Sequence, residues 1–119
     1  MKIRVEANGQ TTVYQLNNST GAKELYAQLP LSIAVEDYAG IEKIFYPPQK
    51  LDTTDTSLVS RAKNGTLAYY APWGDVVMFY NTFGPAAGLY ELGEAISGVE
   101  HIRSMSGSLR ITREPQGAR

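Results

Sequence analysis

The feature that most constrains this chain is its punctuation. Short stretches of alternating apolar and polar residues are broken by turn-forming pairs, and only one stretch carries a helical period. Lys2 to Ala7 and Thr11 to Leu16 alternate on either side of Asn8-Gly9, a pair that accepts the positive φ angles of a tight hairpin. Leu31 to Tyr38 places Leu31, Ile33 and Val35 on one side, turns at Ala39-Gly40, and pairs in expectation with Ile41 to Tyr46. Pro47-Pro48 ends that hairpin, because two consecutive prolines cannot serve a hydrogen-bonded ladder. Thr66 to Ala71 and Asp75 to Asn81 are rich in aromatic and β-branched residues and flank Pro72-Trp73-Gly74. Leu89 to Ile96 and Ser108 to Arg113 complete the set. A chain of about eight short strands points to a barrel or sandwich, and closure is favoured because it removes exposed edges.

The exception lies at Ser19 to Leu29, where Leu25 and Leu29 are four apart with Ala22 and Tyr26 beside them. A helix over 20–28 is expected, capped by Ser19 or Thr20 and stopped by Pro30. Gly98 to Met105 is a candidate short helix using Val99, Ile102 and Met105. Gln49 to Asn64 has no sustained period and reads as a long loop with one helical turn near Leu58 to Ala62. The tail Glu114 to Arg119 is expected to fray.

Composition removes several functions. The 119 residues suit one domain over 1–119, and the absence of cysteine excludes a disulfide framework, a zinc–cysteine site and a thiol nucleophile. With 11 basic and 12 acidic residues the net charge is −1, which lacks the footprint of a nucleic-acid binder. Arg103, Arg110, Arg113 and Arg119 read as a solvated face and tail. The charged N-terminus has no apolar signal core, and no window approaches a membrane span, so the expected location is cytoplasmic, with no membrane partner.

Most chemical motifs are absent. No Gly-x-Ser-x-Gly elbow occurs, and Gly84-Pro85-Ala86-Ala87-Gly88 lacks the Gly-Lys-Ser/Thr end of a phosphate loop and reads as a turn that rims a pocket. His101 stands alone, and Asp52 and Asp55 with their threonines suit turns better than a calcium site. No metal and no cofactor is expected. Glu36 and Asp37 are adjacent on a strand and face opposite sides, so at most one enters a pocket. They and Glu42, beside Lys43, read as solvated charges.

Several segments carry a family resemblance. Glu91 to Met105 contains a strand with Gly93, a second glycine at Gly98 and a short helix before the last strand; Gly65-Thr66-Leu67-Ala68-Tyr69-Tyr70 opens a strand with glycine. Both resemble cyclophilins. Leu29-Pro30-Leu31, Glu36 to Gly40, Glu42-Lys43-Ile44, Tyr69 to Gly74, Phe79-Tyr80, Gly88-Leu89 and Leu92-Gly93 together resemble a small bacterial cyclophilin-like family of uncharacterised proteins, over roughly residues 1–113. The resemblance implies an all-β fold with one or two short helices, a closed eight-stranded cyclophilin-like barrel. It would also imply an arginine, a glutamine and a histidine for prolyl isomerisation. Lys43 to Pro48 holds no arginine, Asp75 to Tyr80 holds no glutamine, and the histidine position falls near Leu89; Phe79 is left as the candidate groove phenylalanine. The expected function is therefore binding of a small molecule or short peptide at one barrel face, with a divergent peptidyl-prolyl isomerase as the alternative and a structural oligomer as a third class. Trp73, Tyr70, Phe79 and Tyr46 are the candidate apolar walls, with Glu36 and Arg61 as polar contacts. Trp73 leads because a large aromatic on a turn has less core to join.

Overall fold

A computed structural model describes residues 1–115. Nine strands form one sheet: β1 Lys2–Ala7, β2 Gln10–Leu16, β3 Leu31–Ala34, β4 Glu36–Tyr38, β5 Glu42–Phe45, β6 Thr66–Tyr70, β7 Asp75–Phe79, β8 Leu89–Ser97 and β9 Ser108–Arg113. Their order is β3-β9-β1-β2-β8-β6-β7-β5-β4, with every pairing antiparallel. Helix α1 spans Thr20–Ala27, and a 3₁₀ helix spans Val99–Ser104.

The sheet is a nearly closed barrel, and its seam corrects the expected eight-stranded, fully closed count. Leu31 to Tyr38 is not one strand. It breaks at Val35, whose N–H donates to the Gly107 carbonyl at 3.0 Å. The part before the break pairs with β9 and the part after it pairs with β5. The two ends of the sheet order are therefore consecutive in the chain. The backbone carries the sheet across the gap that the ladder leaves open.

Local chemistry accounts for the elements. Asn8 and Gly9 take φ of 55° and 76°, the left-handed pair that a two-residue hairpin turn needs. The Ser19 side chain caps α1 by accepting from the Ala22 N–H at 3.2 Å, and Gly21, Ala22 and Leu25 form its buried face. The spacing of Gly93 in β8 and Gly98 just after it has a packing cause. A Cβ on Gly93 would collide with the Gln15 carbonyl oxygen, and one on Gly98 with that of Thr11. Both lie where β2 runs close against the chain, and the buried Thr12 hydroxyl donates to the Gly98 carbonyl at 2.8 Å.

The barrel interior is filled by alternate side chains, among them Ile3, Val5, Leu16, Phe45, Leu67, Val76, Met78, Leu92, Leu109 and Ile111. Tyr14 and Tyr69 also lie inside, and Tyr69 accepts a hydrogen bond from the Leu51 N–H at 3.1 Å. A second apolar cluster forms on the outside, from Ile44, Val59, Ala62, Ala68, Val77, Phe79 and Leu89. Strand β7 is consequently buried along its whole length.

The long connection between β5 and β6 makes no helical turn at Leu58 to Ala62. It forms isolated bridges instead, Leu58 to Tyr90 and Ala62 to Phe83. Such pairing satisfies backbone groups that a lone helical turn would leave exposed. Glu114, expected to fray, is tied down: its N–H donates to the Lys2 carbonyl at 2.9 Å and its carboxylate accepts from Arg4 at 3.2 Å. The rest of that expectation, over 116–119, lies outside the described residues. Among those described, no helix is long and apolar enough to cross a membrane.

Candidate functional site

The outer cluster is not completely covered. Between the sheet face and the loops lies a pocket of about 210 Å³, lined by Tyr38, Ala39, Ile41, Glu42, Tyr70, Trp73, Val77, Phe79, Phe83, Ala86 and Leu89. Register explains the convergence. Tyr38 pairs with Glu42, Glu42 with Phe79, Ile44 with Val77, Ala68 with Val77, and Tyr70 with Leu89. Residues opposite one another share a sheet face, so these side chains project to the same outer side.

Two loops raise the walls. Pro72-Trp73-Gly74 folds back on β6, with the Trp73 and Gly74 N–H groups donating to the Tyr70 carbonyl at 3.2 and 2.9 Å. Trp73 then stands edge-on to two neighbours, with ring centroids 5.2 Å from Tyr38 at 88° and 5.6 Å from Tyr70 at 71°. On the other side, mutual backbone hydrogen bonds between Ala62 and Phe83, at 2.8 and 3.1 Å, hold Phe83 so that its ring stacks on Phe79 at 5.8 Å. The Gly84 to Gly88 turn contributes Ala86, as its place between two strands suggested.

Of the candidate residues, the structure brings together Trp73, Tyr70 and Phe79. The other three lie elsewhere. Tyr46 and Glu36 are exposed farther along the same hairpin, where the Glu36 charge helps to raise the carboxyl of Asp75. Arg61 is exposed and lines a neighbouring depression with Ser60, Thr82 and Pro85, on the far side of Phe83. The cause for Tyr46 and Glu36 is register: each sits beyond the Tyr38–Glu42 end of the ladder that the pocket occupies.

Glu42 is the residue that sequence reasoning missed. Read as a solvated charge beside Lys43, it is half-buried in the pocket wall, and burial first, then the charges of Asp75 and Asp37, push its carboxyl up to about 7. Its position two residues before Ile44, on the face of an apolar strand, was the available signal. Lys43 points to the other face, nearly buried, and pairs with Asp37 at 3.2 Å. Asp37 also accepts a short hydrogen bond from the Tyr80 hydroxyl, which does most to hold its carboxyl below the usual range. Asp75, on the same outer face of β7, is almost fully buried, and one of its carboxylate oxygens has no partner. Burial pushes its carboxyl up to about 6, with Glu36 adding to the effect.

The arrangement can enclose an apolar body and offer it one carboxylate. A wider depression of about 420 Å³ lies at the β1–β2 turn, lined by Glu6, Asn8, Thr11, Ser32 and Arg110 among others. No aromatic ring lines it, and the solvated polar groups there give a ligand little to displace. No cluster of three or more metal-ligating side chains occurs among the described residues.

Comparison with known proteins agrees with the fold. The barrel is similar to a hypothetical protein from Archaeoglobus fulgidus solved in solution, with a TM-score of 0.70, 15% identity, and 96% of this chain and 95% of that chain covered. No curated protein matches. The model of the Cyclophilin-like family matches residues 5–114, and the chain belongs to that family.

Proposed function

We propose that this protein binds a small molecule, or one side chain of a short peptide, in the aromatic pocket on the outer face of the barrel. One observation carries the reading: the second apolar cluster stays open, and Tyr38, Tyr70, Trp73, Phe79 and Phe83 surround the opening with Glu42 among them. A cluster serving only to pack would be sealed, as the interior is. The volume of about 210 Å³ suits a fragment-sized ligand more than a drug-sized one.

The test is a fragment screen by saturation-transfer NMR on the wild type and on Trp73→Ala. Trp73 is 47% exposed, so its loss leaves the fold standing. Most hits are expected to vanish or weaken by about tenfold in the variant, the effect of removing one aromatic anchor. Unchanged hits in a folded Trp73→Ala protein would overturn the placement. A protease-coupled proline-peptide assay is expected to show no acceleration, since no arginine, glutamine or histidine lines the pocket among the described residues. Acceleration would replace the binding reading with the isomerase one.

A further inference from the structure

We propose that the pocket is an aromatic cage for a small organic cation, a substituted ammonium carried on a short apolar body. The inference rests on the binding reading above and specifies the chemistry of the ligand. Its first support is the arrangement of the rings. Trp73 meets Tyr38 at 88° and Tyr70 at 71°, so these three rings form corners, while Phe79 and Phe83 lie stacked in the opposite wall. Aromatic faces carry the negative part of the ring quadrupole, and several faces around one site favour a cation over a neutral body of equal shape.

The second support is charge. Glu42 is the one charged residue in the lining, and among the described residues no cation pairs with it. The groups near it are acidic or neutral: Tyr38 from β4 and Asp75 from β7 on its own face, and Asp37 of β4 and Tyr80 just beyond β7 from the other. The nearby cations are engaged on the other face, Lys43 with Asp37 at 3.2 Å and Arg103 over the Tyr80 ring at 5.4 Å. A neutral ligand would desolvate the Glu42 carboxylate without compensation, and an anion would meet repulsion from it. A substituted ammonium supplies the missing charge and presents methyl or methylene surface to the rings.

The consequence for pH follows from Glu42. Its carboxyl sits at about 7 in the free protein, so it is largely protonated in mild acid and charged in mild base. Cation binding should strengthen as pH rises through that value, and below it each binding event should release a proton.

The probes are choline and its neutral carbon isostere, in which a tert-butyl group replaces the trimethylammonium. Trp73, the one tryptophan of the chain, reports both by fluorescence. Above about pH 8 and at fixed ionic strength, choline is expected to bind at least about tenfold tighter than the isostere, the ratio that a desolvated cation–π and charge contact supports. Glu42→Gln, close in shape, should remove most of that ratio, by weakening choline while the isostere binds as tightly as before or more tightly. Thermal unfolding confirms that the variant is folded. Equal affinity for the two probes, or undiminished choline binding in Glu42→Gln, would overturn the cage while leaving the pocket a binding site. Saturation by neither probe would also overturn it, and the fragment screen then decides the binding reading separately.

Discussion

The two faces of β7 make a natural comparison. Val76 and Met78 point into the barrel; Asp75, Val77 and Phe79 point out of it; all are buried. Burial alone does not separate core from site on this strand. What differs is what completes the enclosure. Inside, side chains from β1, β2, β5, β6, β8 and β9 close the volume. Outside, the cover is two loops and a turn, and they leave a pocket of about 210 Å³ with an ionisable group in its wall. Among the described residues each face retains one buried side-chain oxygen without a partner, the Tyr14 hydroxyl inside and an Asp75 carboxylate oxygen outside. The interior holds its polar atom within a closed core; on the outer face the half-buried Glu42 carboxylate stands in the wall of an open pocket.

The largest effect should come from the inner face. Met78→Ala leaves a cavity in a closed core and is expected to cost about 2–5 kcal/mol by denaturant unfolding. Trp73→Ala on the outer rim should cost less, about 2 kcal/mol, because its ring is 47% exposed before the change and its loss opens no closed cavity. Equal losses would erase the distinction between the faces.

A smaller effect with a sign belongs to Glu42. Its folded-state carboxyl is raised to about 7 from an ordinary value of 4.5, so the native state favours the protonated form. Stability from this group is fully present below the ordinary value and is lost as pH rises through the folded one. Glu42→Gln should therefore match the wild type in acid and exceed it above about pH 8 by on the order of 1 kcal/mol, after discounting for partial solvent contact. Urea unfolding at several pH values checks this. The smallest change is Tyr14→Phe. It removes a buried hydroxyl that has no partner among the described residues, and stability should stay equal or rise by up to about 1 kcal/mol. A marked loss would show that the hydroxyl is satisfied after all.

The same comparison explains what was legible in the sequence. Alternation located the strands, and Ser19 or Thr20 located the start of α1, Ser19 being the cap, because period and capping are local. The seam at Val35 was not legible, since an unbroken alternating run gives no sign that its halves pair with different neighbours. Trp73, Tyr70 and Phe79, which aromatic density beside a turn singles out, all line the outer pocket. Glu42 was missed because its environment is made by Tyr38, Phe79 and Asp75, which only long-range register brings near it. Arg61 was drawn in because a long loop can reach many places, and the Ala62–Phe83 bridge directs it to a neighbouring depression.

The proposed ligand site is the outer face of this barrel and not its polar hairpin end. Intermolecular nuclear Overhauser contacts from a bound fragment to assigned protein protons test it most directly. Contacts to Trp73, Phe79 and Tyr38 are expected, with the interior protons of Met78 and Phe45 silent. Contacts confined to Asn8, Thr11 and Arg110 would contradict it.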